Sequence, residues 1–272
     1  MIEIKILSFS YPGTDYILKQ ISLRIRAGEY VSIVGENGSG KSTLARHLNG
    51  LLLPGEGSVI ICGMDTSDSA RLPEIRRKVG MVFQDPMTQF VGSVVREDVA
   101  FGPSNLCMPR KKMLHMVDST LENLGLAELG SRSPLDLSGG QMQLAAIAGV
   151  LAMQPECLVF DEAVSMLDSA TRKKILALLG KLHSEGKTII HITHRLEEVR
   201  YAERVIALKK GEILYDGSTD CFLQSGKFRE AGLEAPPLAE LSFRLGQAGV
   251  LEEVAFDPER IAEGICRFRS TT

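Results

Sequence analysis

Three short apolar patterns open the chain. Ile2, Ile4 and Ile6 alternate with other residues, as do Ile21, Leu23 and Ile25, and Tyr30-Val31-Ser32-Ile33-Val34 is a nearly continuous run. Alternation with period two predicts half-buried strands, and a short apolar run bounded by turn residues predicts a strand buried on both faces. Similar runs at 58–62, 78–83, 157–160 and 188–193 predict further strands. Helical periods lie between them. The clearest joins Met113, Met116, Val117, Thr120, Leu121 and Leu124 in one apolar stripe. Short strands alternating with helices predict an α/β fold with a mostly parallel sheet covered on both faces.

Two stretches break this rhythm. Residues 84–139 are expected to form a helical insertion interrupted at Pro86, Pro103, Pro109 and Pro134. Past a hairpin-like pair at 205–208 and 213–215, residues 220–272 hold short amphipathic pieces separated by Pro236-Pro237, which predict a small helical appendage. No repeat or low-complexity stretch is evident.

Composition narrows the function classes. With 31 Lys+Arg against 34 Asp+Glu the net charge is −3, which argues against a protein that coats nucleic acid or an anionic membrane. The longest nearly unbroken apolar run, 144–153, is about half of the ~20 residues a membrane-spanning helix needs. The start, Met1-Ile2-Glu3-Ile4-Lys5, has no basic segment followed by an apolar core, so no secretory signal is expected. Cys62, Cys107, Cys157, Cys221 and Cys266 are scattered and include no Cys-x-x-Cys, which fits reduced thiols in a soluble intracellular protein.

The strongest local signal is Gly35-Glu36-Asn37-Gly38-Ser39-Gly40-Lys41-Ser42-Thr43, which fits G-x-x-x-x-G-K-[ST] between a strand and a helix predicted from about 41 to 48. Glycines let the backbone turn successive N–H groups toward a phosphate. Lys41 would supply a mobile charge, and the Ser42 hydroxyl can ligate Mg²⁺. A matching carboxylate is expected at the end of a neighbouring strand. Cys157-Leu158-Val159-Phe160-Asp161-Glu162 provides two acids at the strand's C-terminal edge, where ligand sites of α/β sheets lie. Asp161 would hold Mg²⁺ through water, and Glu162 could accept a proton from an attacking water.

Leu137-Ser138-Gly139-Gly140-Gln141 stands just before a predicted helix at 142–153. Ser138 and Gln141 have the spacing of a capping box, an ordinary helix start. About twenty residues upstream of the acid pair, however, this segment resembles the LSGGQ signature of the ATP-binding cassette (ABC) family. Other landmarks of that family follow in order: Tyr11 where an aromatic stacks on adenine, Gln84 after a strand at Val82-Phe83-Gln84, Ser165-Met166-Leu167-Asp168 as the D-loop, and His194 as the switch histidine. His191, in the same strand, is expected to be structural. The resemblance covers about residues 2–220. Within the family, Phe9-Ser10-Tyr11-Pro12, Gln84-Asp85-Pro86 with Gln89-Phe90-Val91-Gly92, and Asp98-Val99-Ala100-Phe101-Gly102 are similar to ATP-binding subunits of energy-coupling factor (ECF) transporters. So is the tail around 232–245.

The resemblance implies a P-loop NTPase of the ABC fold, with an N-terminal antiparallel β subdomain beside the mostly parallel core sheet. The ATPase domain would cover 1–220, with a helical signature subdomain at about 85–150, and 221–272 would form a helical dimerisation appendage. It further implies ATP and Mg²⁺ as ligands, and two ATPs sandwiched in a head-to-tail dimer between one chain's phosphate loop and the other's Ser138, Gly139, Gly140 and Gln141. Lys41, Ser42, Gln84, Asp161, Glu162 and His194 would serve one nucleotide, with Ser42, Gln84 and Asp161 on the metal and Asp168 beside the nucleotide. The implied partners are a second ATP-binding subunit (a paralogue or a second copy), an integral membrane coupling subunit and a substrate-binding membrane subunit, with no nucleic acid. The implied place is the cytoplasmic face of a membrane, and the solute a vitamin or Co/Ni ion. The alternatives are a soluble ABC ATPase acting on DNA or the ribosome and a degenerate nucleotide-binding module. The first would favour a coiled-coil insertion, a second cassette or a basic tail, and the second is opposed by the intact Lys41, Asp161, Glu162 and His194. Two positions depart from the family pattern: Leu144 stands where Arg is usual, and Val164 where Thr is usual.

Overall fold

A computed structural model describes residues 1–251, 255 and 257–271, with side chains through 268. The strands are β1 (Ile2–Phe9), β2 (Leu18–Ile25), β3 (Tyr30–Gly35), β4 (Glu56–Ile61), β5 (Met64–Asp65), β6 (Val79–Val82), β7 (Cys157–Asp161), β8 (Thr188–Ile192), β9 (Arg204–Lys209) and β10 (Glu212–Ser218). The helices are α1 (Lys41–His47), α2 (Leu72–Lys78), α3 (Val95–Asn105), α4 (Arg110–Asn123), α5 (Gly139–Leu151), α6 (Ser169–Ser184) and α7 (Leu196–Val199). After β10 come α8 (Thr219–Gln224), α9 (Lys227–Glu230), α10 (Pro237–Gln247) and α11 (Pro258–Thr271). The parts of the expected tail at 252–254, 256 and 272 lie outside the described residues.

Two sheets form. The larger has the order β10-β9-β3-β8-β7-β6. Its inner pairings are all parallel, and β10 joins β9 antiparallel at the edge. Every residue of β3, β7 and β8 is buried, as expected for parallel strands covered on both faces. The smaller sheet, β2-β1-β4-β5, is antiparallel throughout. The face of α1 carrying Leu44 and Ala45, with Leu48 just past its end, shares one apolar core with Ile2, Ile4 and Leu7 of β1 and Ile33 of β3, so the two sheets enclose α1. Helices α3, α4 and α5 bury a separate core around Val95, Val99, Val117, Leu121 and Ala148.

Four sequence expectations change. The Ile2-Ile4-Ile6 alternation fails at its third member. The pairing register shifts between Ile4 and Leu7, Ile6 takes φ 50° and is 61% exposed, and Leu7 occupies the buried position. Pro103 does not interrupt the insertion but lies inside α3, close enough to its C-terminal end that little of the hydrogen-bond ladder is lost. The strand expected to end at Gln84 stops at Val82. The signature helix begins at Gly139, with Ser138 as its cap, and not at 142.

Candidate functional site

Strand order builds the site. Because β8 lies between β3 and β7, the phosphate loop leaving β3 and the acid pair ending β7 flank the loop that leaves β8. Asp161 is directly paired with Ile192, and Ile33 with Ile192 on the other side. His194 therefore emerges between the loop and the acids.

The residues 35–43 wrap tightly. Gly40 precedes α1 with φ 102°, in the region that penalises L side chains, and a Cβ there would lie 3.0 Å from the Ile17 carbonyl oxygen. No side chain caps α1, so its first N–H groups remain available to an anion. Ser39 is buried and its hydroxyl has no hydrogen-bond partner. Lys41, expected to be mobile, is instead buried and tied down. Its Nζ donates to the carbonyls of Gly35 (2.8 Å) and Glu36 (3.0 Å) and lies 3.6 Å from Glu162 Oε1. Thr43 is buried on α1, while Glu36, Asn37 and Gly38 are exposed at the loop's tip.

Ser42 Oγ donates to Asp161 Oδ1 at 2.9 Å. Burial raises the Asp161 carboxyl above the usual carboxylate range, against the lowering effect of the Ser42 hydrogen bond. A buried carboxylate whose hydrogen-bond donor is a neutral hydroxyl fits a hard cation, and both groups are oxygen ligands. Among the described residues no three His, Cys, Asp or Glu side chains are placed to hold a metal ion between them. Mg²⁺ takes one or two protein oxygens and completes its shell with water and phosphate, and the Ser42 and Asp161 oxygens suit that role.

Glu162 lies one residue beyond β7 at φ 52°. Its N–H donates to the Ile192 carbonyl at 3.1 Å, and its carbonyl accepts from Ser165 Oγ at 2.7 Å. The carboxylate then spans two groups, with Oε1 near Lys41 and Oε2 3.3 Å from His194 Nδ1. His194 keeps 48% of its side chain exposed, open to a ligand.

Lys41, Ser42, Asp161, Glu162 and His194 thus meet in one place; the other expected residues stand elsewhere. Tyr11 packs edge-on against Phe9 and accepts from Arg46 Nη1 at 3.4 Å, beside α1. Gln84 is exposed, two residues past β6. Ser138 and Gln141 form a reciprocal capping box at the start of α5, with Gly139 and Gly140 in its first turn. Asp168 caps α6, accepting from the N–H groups of Ala170 and Thr171. Sequence reasoning missed a set behind the site, in which the half-buried Arg172 faces the buried Thr193 and Glu198. A glutamate within Leu196-Glu197-Glu198-Val199 gives no sign that it faces inward.

A phosphate loop at the carboxyl edge of a parallel sheet, faced by two acids and a histidine, defines a P-loop nucleoside-triphosphatase. The ABC transporter family model matches residues 18–165. The chain is 48% identical over 269 residues to the energy-coupling factor transporter ATP-binding protein EcfA of Methanosarcina acetivorans, with 98% of each chain covered. It is 44% identical to the cobalt import ATP-binding protein CbiO of Syntrophus aciditrophicus, covering 92% of this chain and 90% of that one. Among solved structures, cbiO1 of Clostridium perfringens, part of the ABC transporter complex cbiONQ, matches with a TM-score of 0.74 and 31% identity over 91% of this chain and 96% of that one. The ATP-binding cassette MJ0796 bound to ADP and Pi matches with a TM-score of 0.74 and 34% identity over 80% and 99%. This chain belongs to the ABC transporter family and is an ATPase of ABC fold, similar to ECF ATP-binding subunits.

Proposed function

We propose that this chain is the ATP-hydrolysing subunit of an ECF-type importer, attached peripherally to the cytoplasmic face of a membrane and carrying a vitamin or a Co/Ni ion as cargo. The names of its relatives support this reading, one of them a cobalt import protein. No described helix is long and apolar enough to cross a membrane, so the solute path would belong to membrane subunits. A cleft of about 500 Å³ lined by Leu51, Phe83, Phe101, Val150 and Met153 offers an apolar seat for a coupling helix of such a subunit.

The observation that carries the chemistry is the line Lys41–Glu162–His194 beside the Ser42–Asp161 pair. Lys41 and the first turn of α1 hold the β- and γ-phosphates. Ser42 and Asp161, with Gln84, would hold Mg²⁺, which supplies charge neutralisation at the phosphate oxygens when bound. Glu162 accepts a proton from water as the water oxygen bonds to the γ-phosphorus and the bond to the β-phosphate oxygen breaks, giving ADP and phosphate. His194 Nδ1 faces Glu162, and its Nε2 would donate to the γ-phosphate and help orient the water. Tyr11 stacks on adenine, and Ser138, Gly139, Gly140 and Gln141 complete the site of an opposing ATPase in a head-to-tail dimer, with Asp168 beside the nucleotide. Residues 221–272 help hold that dimer.

Glu162→Gln tests the assignment. It keeps size and hydrogen-bonding reach but removes the basic oxygen, so turnover should fall by roughly 10²-fold or more while ATP still binds. Hydrolysis near the wild-type rate would remove Glu162 from the role.

A further inference from the structure

Behind His194 lies a buried carboxylate that the hydrolytic scheme does not use. Glu198 is 2% exposed, on the short helix α7. Its Oε2 accepts a 2.7 Å hydrogen bond from the Thr193 hydroxyl. The same Thr193 oxygen accepts from the N–H of Arg195 at 3.0 Å. One hydroxyl therefore clamps the residues on both sides of His194, and Glu198 holds that hydroxyl. The carboxylate is faced by two guanidinium groups, Arg172 Nε and Arg195 Nε, each 3.6 Å from Oε1. His191 Nε2 lies 3.4 Å from Oε2.

Arg172 extends the connection. Its guanidinium donates to the carbonyls of Val164 (3.2 Å), Ser165 (3.4 Å) and Leu167 (2.7 Å), nearly the whole turn between β7 and α6. That turn begins at Glu162 and is tied to it by Ser165 Oγ. A planar fork suits several carbonyls at once, which an ammonium could not match. Both halves of the Glu162–His194 contact are thus referenced to one ion pair, a half-buried Arg172 beside a buried Glu198. An apolar pair of similar size would fill the space at less desolvation cost, so packing alone does not account for charges here.

We propose that Glu198 is a positioning residue for hydrolysis. Held by Arg172, it fixes Thr193 and through it the placement of His194 against Glu162, so that a movement of the 164–167 turn changes that placement. The inference rests on the assignment of Glu162 and His194 made above.

The test is single-turnover hydrolysis of Mg-ATP by the full chain in its purified complex, with ATP affinity measured alongside. Glu198→Gln and Thr193→Val should each lower the rate by roughly ten- to a hundredfold, the scale of a small misplacement of reacting groups, with ATP affinity within about twofold. Thr193→Ser, which restores the hydroxyl, should recover the rate to within about threefold. In a His194→Ala background, Glu198→Gln should change the rate by less than about twofold, because the group it positions is gone. An equal loss in both backgrounds, or no loss in either, would overturn the proposal. If Glu198→Gln fails to fold, the Thr193→Val and Thr193→Ser pair decides alone: equal rates in the two overturn it. Wild-type rates in Glu162→Gln and His194→Ala would instead overturn the underlying assignment, a result distinct from a silent Glu198.

Discussion

His191 and His194 stand three residues apart and live in different electrostatic worlds. His194 is half exposed beside Glu162, whereas His191 is fully buried in β8. Burial disfavours the charged imidazolium and pushes its pKa down from 6.5 to about 4. The folded state therefore binds this proton less readily than the unfolded chain. The resulting stability is fully present above pH 6.5 and is lost as the pH falls toward 4, by up to about 3 kcal/mol. Asp161 and Glu198 act in the opposite direction, because burial raises their folded-state pKa and protonation relieves that cost as pH falls. His191→Gln removes the histidine's proton and leaves Asp161 untouched, while a neutral amide replaces the neutral imidazole that lies 3.4 Å from Glu198 Oε2. Denaturant unfolding of wild type and variant between pH 7.5 and 4.5 should show the wild type losing stability relative to His191→Gln across this window. Parallel curves would mean that burial does not lower the folded-state pKa of His191. At this same scale the sequence revealed identities better than conformations. The loop 35–43 and the acids Asp161 and Glu162 were visible as a pattern, but the left-handed backbone of Glu162 was not, since nothing in Phe160-Asp161-Glu162 requires φ 52°. Such a conformation costs about 1–3 kcal/mol and persists here under the hydrogen bonds to Ile192 and Ser165.

Elements were legible where one force dominated. β3, β7 and β8 are apolar over most of their length, and central strands of a parallel sheet have to be. The stripe from Met113 to Leu124 gave α4 because its apolar spacing has only one use. β1 was misread at Ile6 because a bulge adds a residue without leaving a mark in the hydrophobic pattern; there the Ile6 N–H finds Ser22 Oγ at 3.0 Å. The contact least accessible to sequence reasoning joins the C-terminal segment to the phosphate loop. Glu234 forms a parallel bridge with Arg195, and Gly232 sits at φ 73° with room for no Cβ, which would fall 2.1 Å from Glu36 Cγ. Together they wall a cavity of about 670 Å³ shared by Asn37, His194 and Pro236. Gly232→Ala should lower stability by at least ~1–2 kcal/mol from the left-handed backbone alone. Moving Glu36 should also weaken ATP binding. Denaturation midpoints and ATP titration check the two effects separately. A full loss of stability with ATP affinity intact would confine the contact to a structural part, and an unchanged midpoint would mean that the segment shifts away freely.

For the molecule as a whole, the two faces of the ATPase need not be equally good. The residues proposed for phosphate and base, Lys41, Asp161, Glu162 and His194, are all present in this chain, with Lys41, Glu162 and His194 along one line and Asp161 beside it. Its signature helix α5 carries Leu144, half-buried against the apolar residues of both α5-containing cores, where the family usually has Arg. A leucine settles there by burial and offers no hydrogen bonds to a nucleotide opposite. In the head-to-tail sandwich proposed above, this altered helix would serve the partner's nucleotide, while the nucleotide on Lys41 would be completed by the partner's signature. Pairing with a different ATPase that has an ordinary signature should therefore make the site containing Lys41 the faster of the two. A dimer of this chain with itself would join two altered signatures to two good phosphate loops and turn over slowly. The measurement is steady-state ATPase activity of the chain alone and with the ATPase that co-purifies from membranes, with Glu162→Gln silencing this chain's own site in the complex. The expected outcome is a complex faster per site than the homodimer, whose rate drops most when Glu162 is replaced. Equal rates per site, with no second ATPase recovered, would mean that Leu144 leaves the composite site intact and that two copies of this chain suffice.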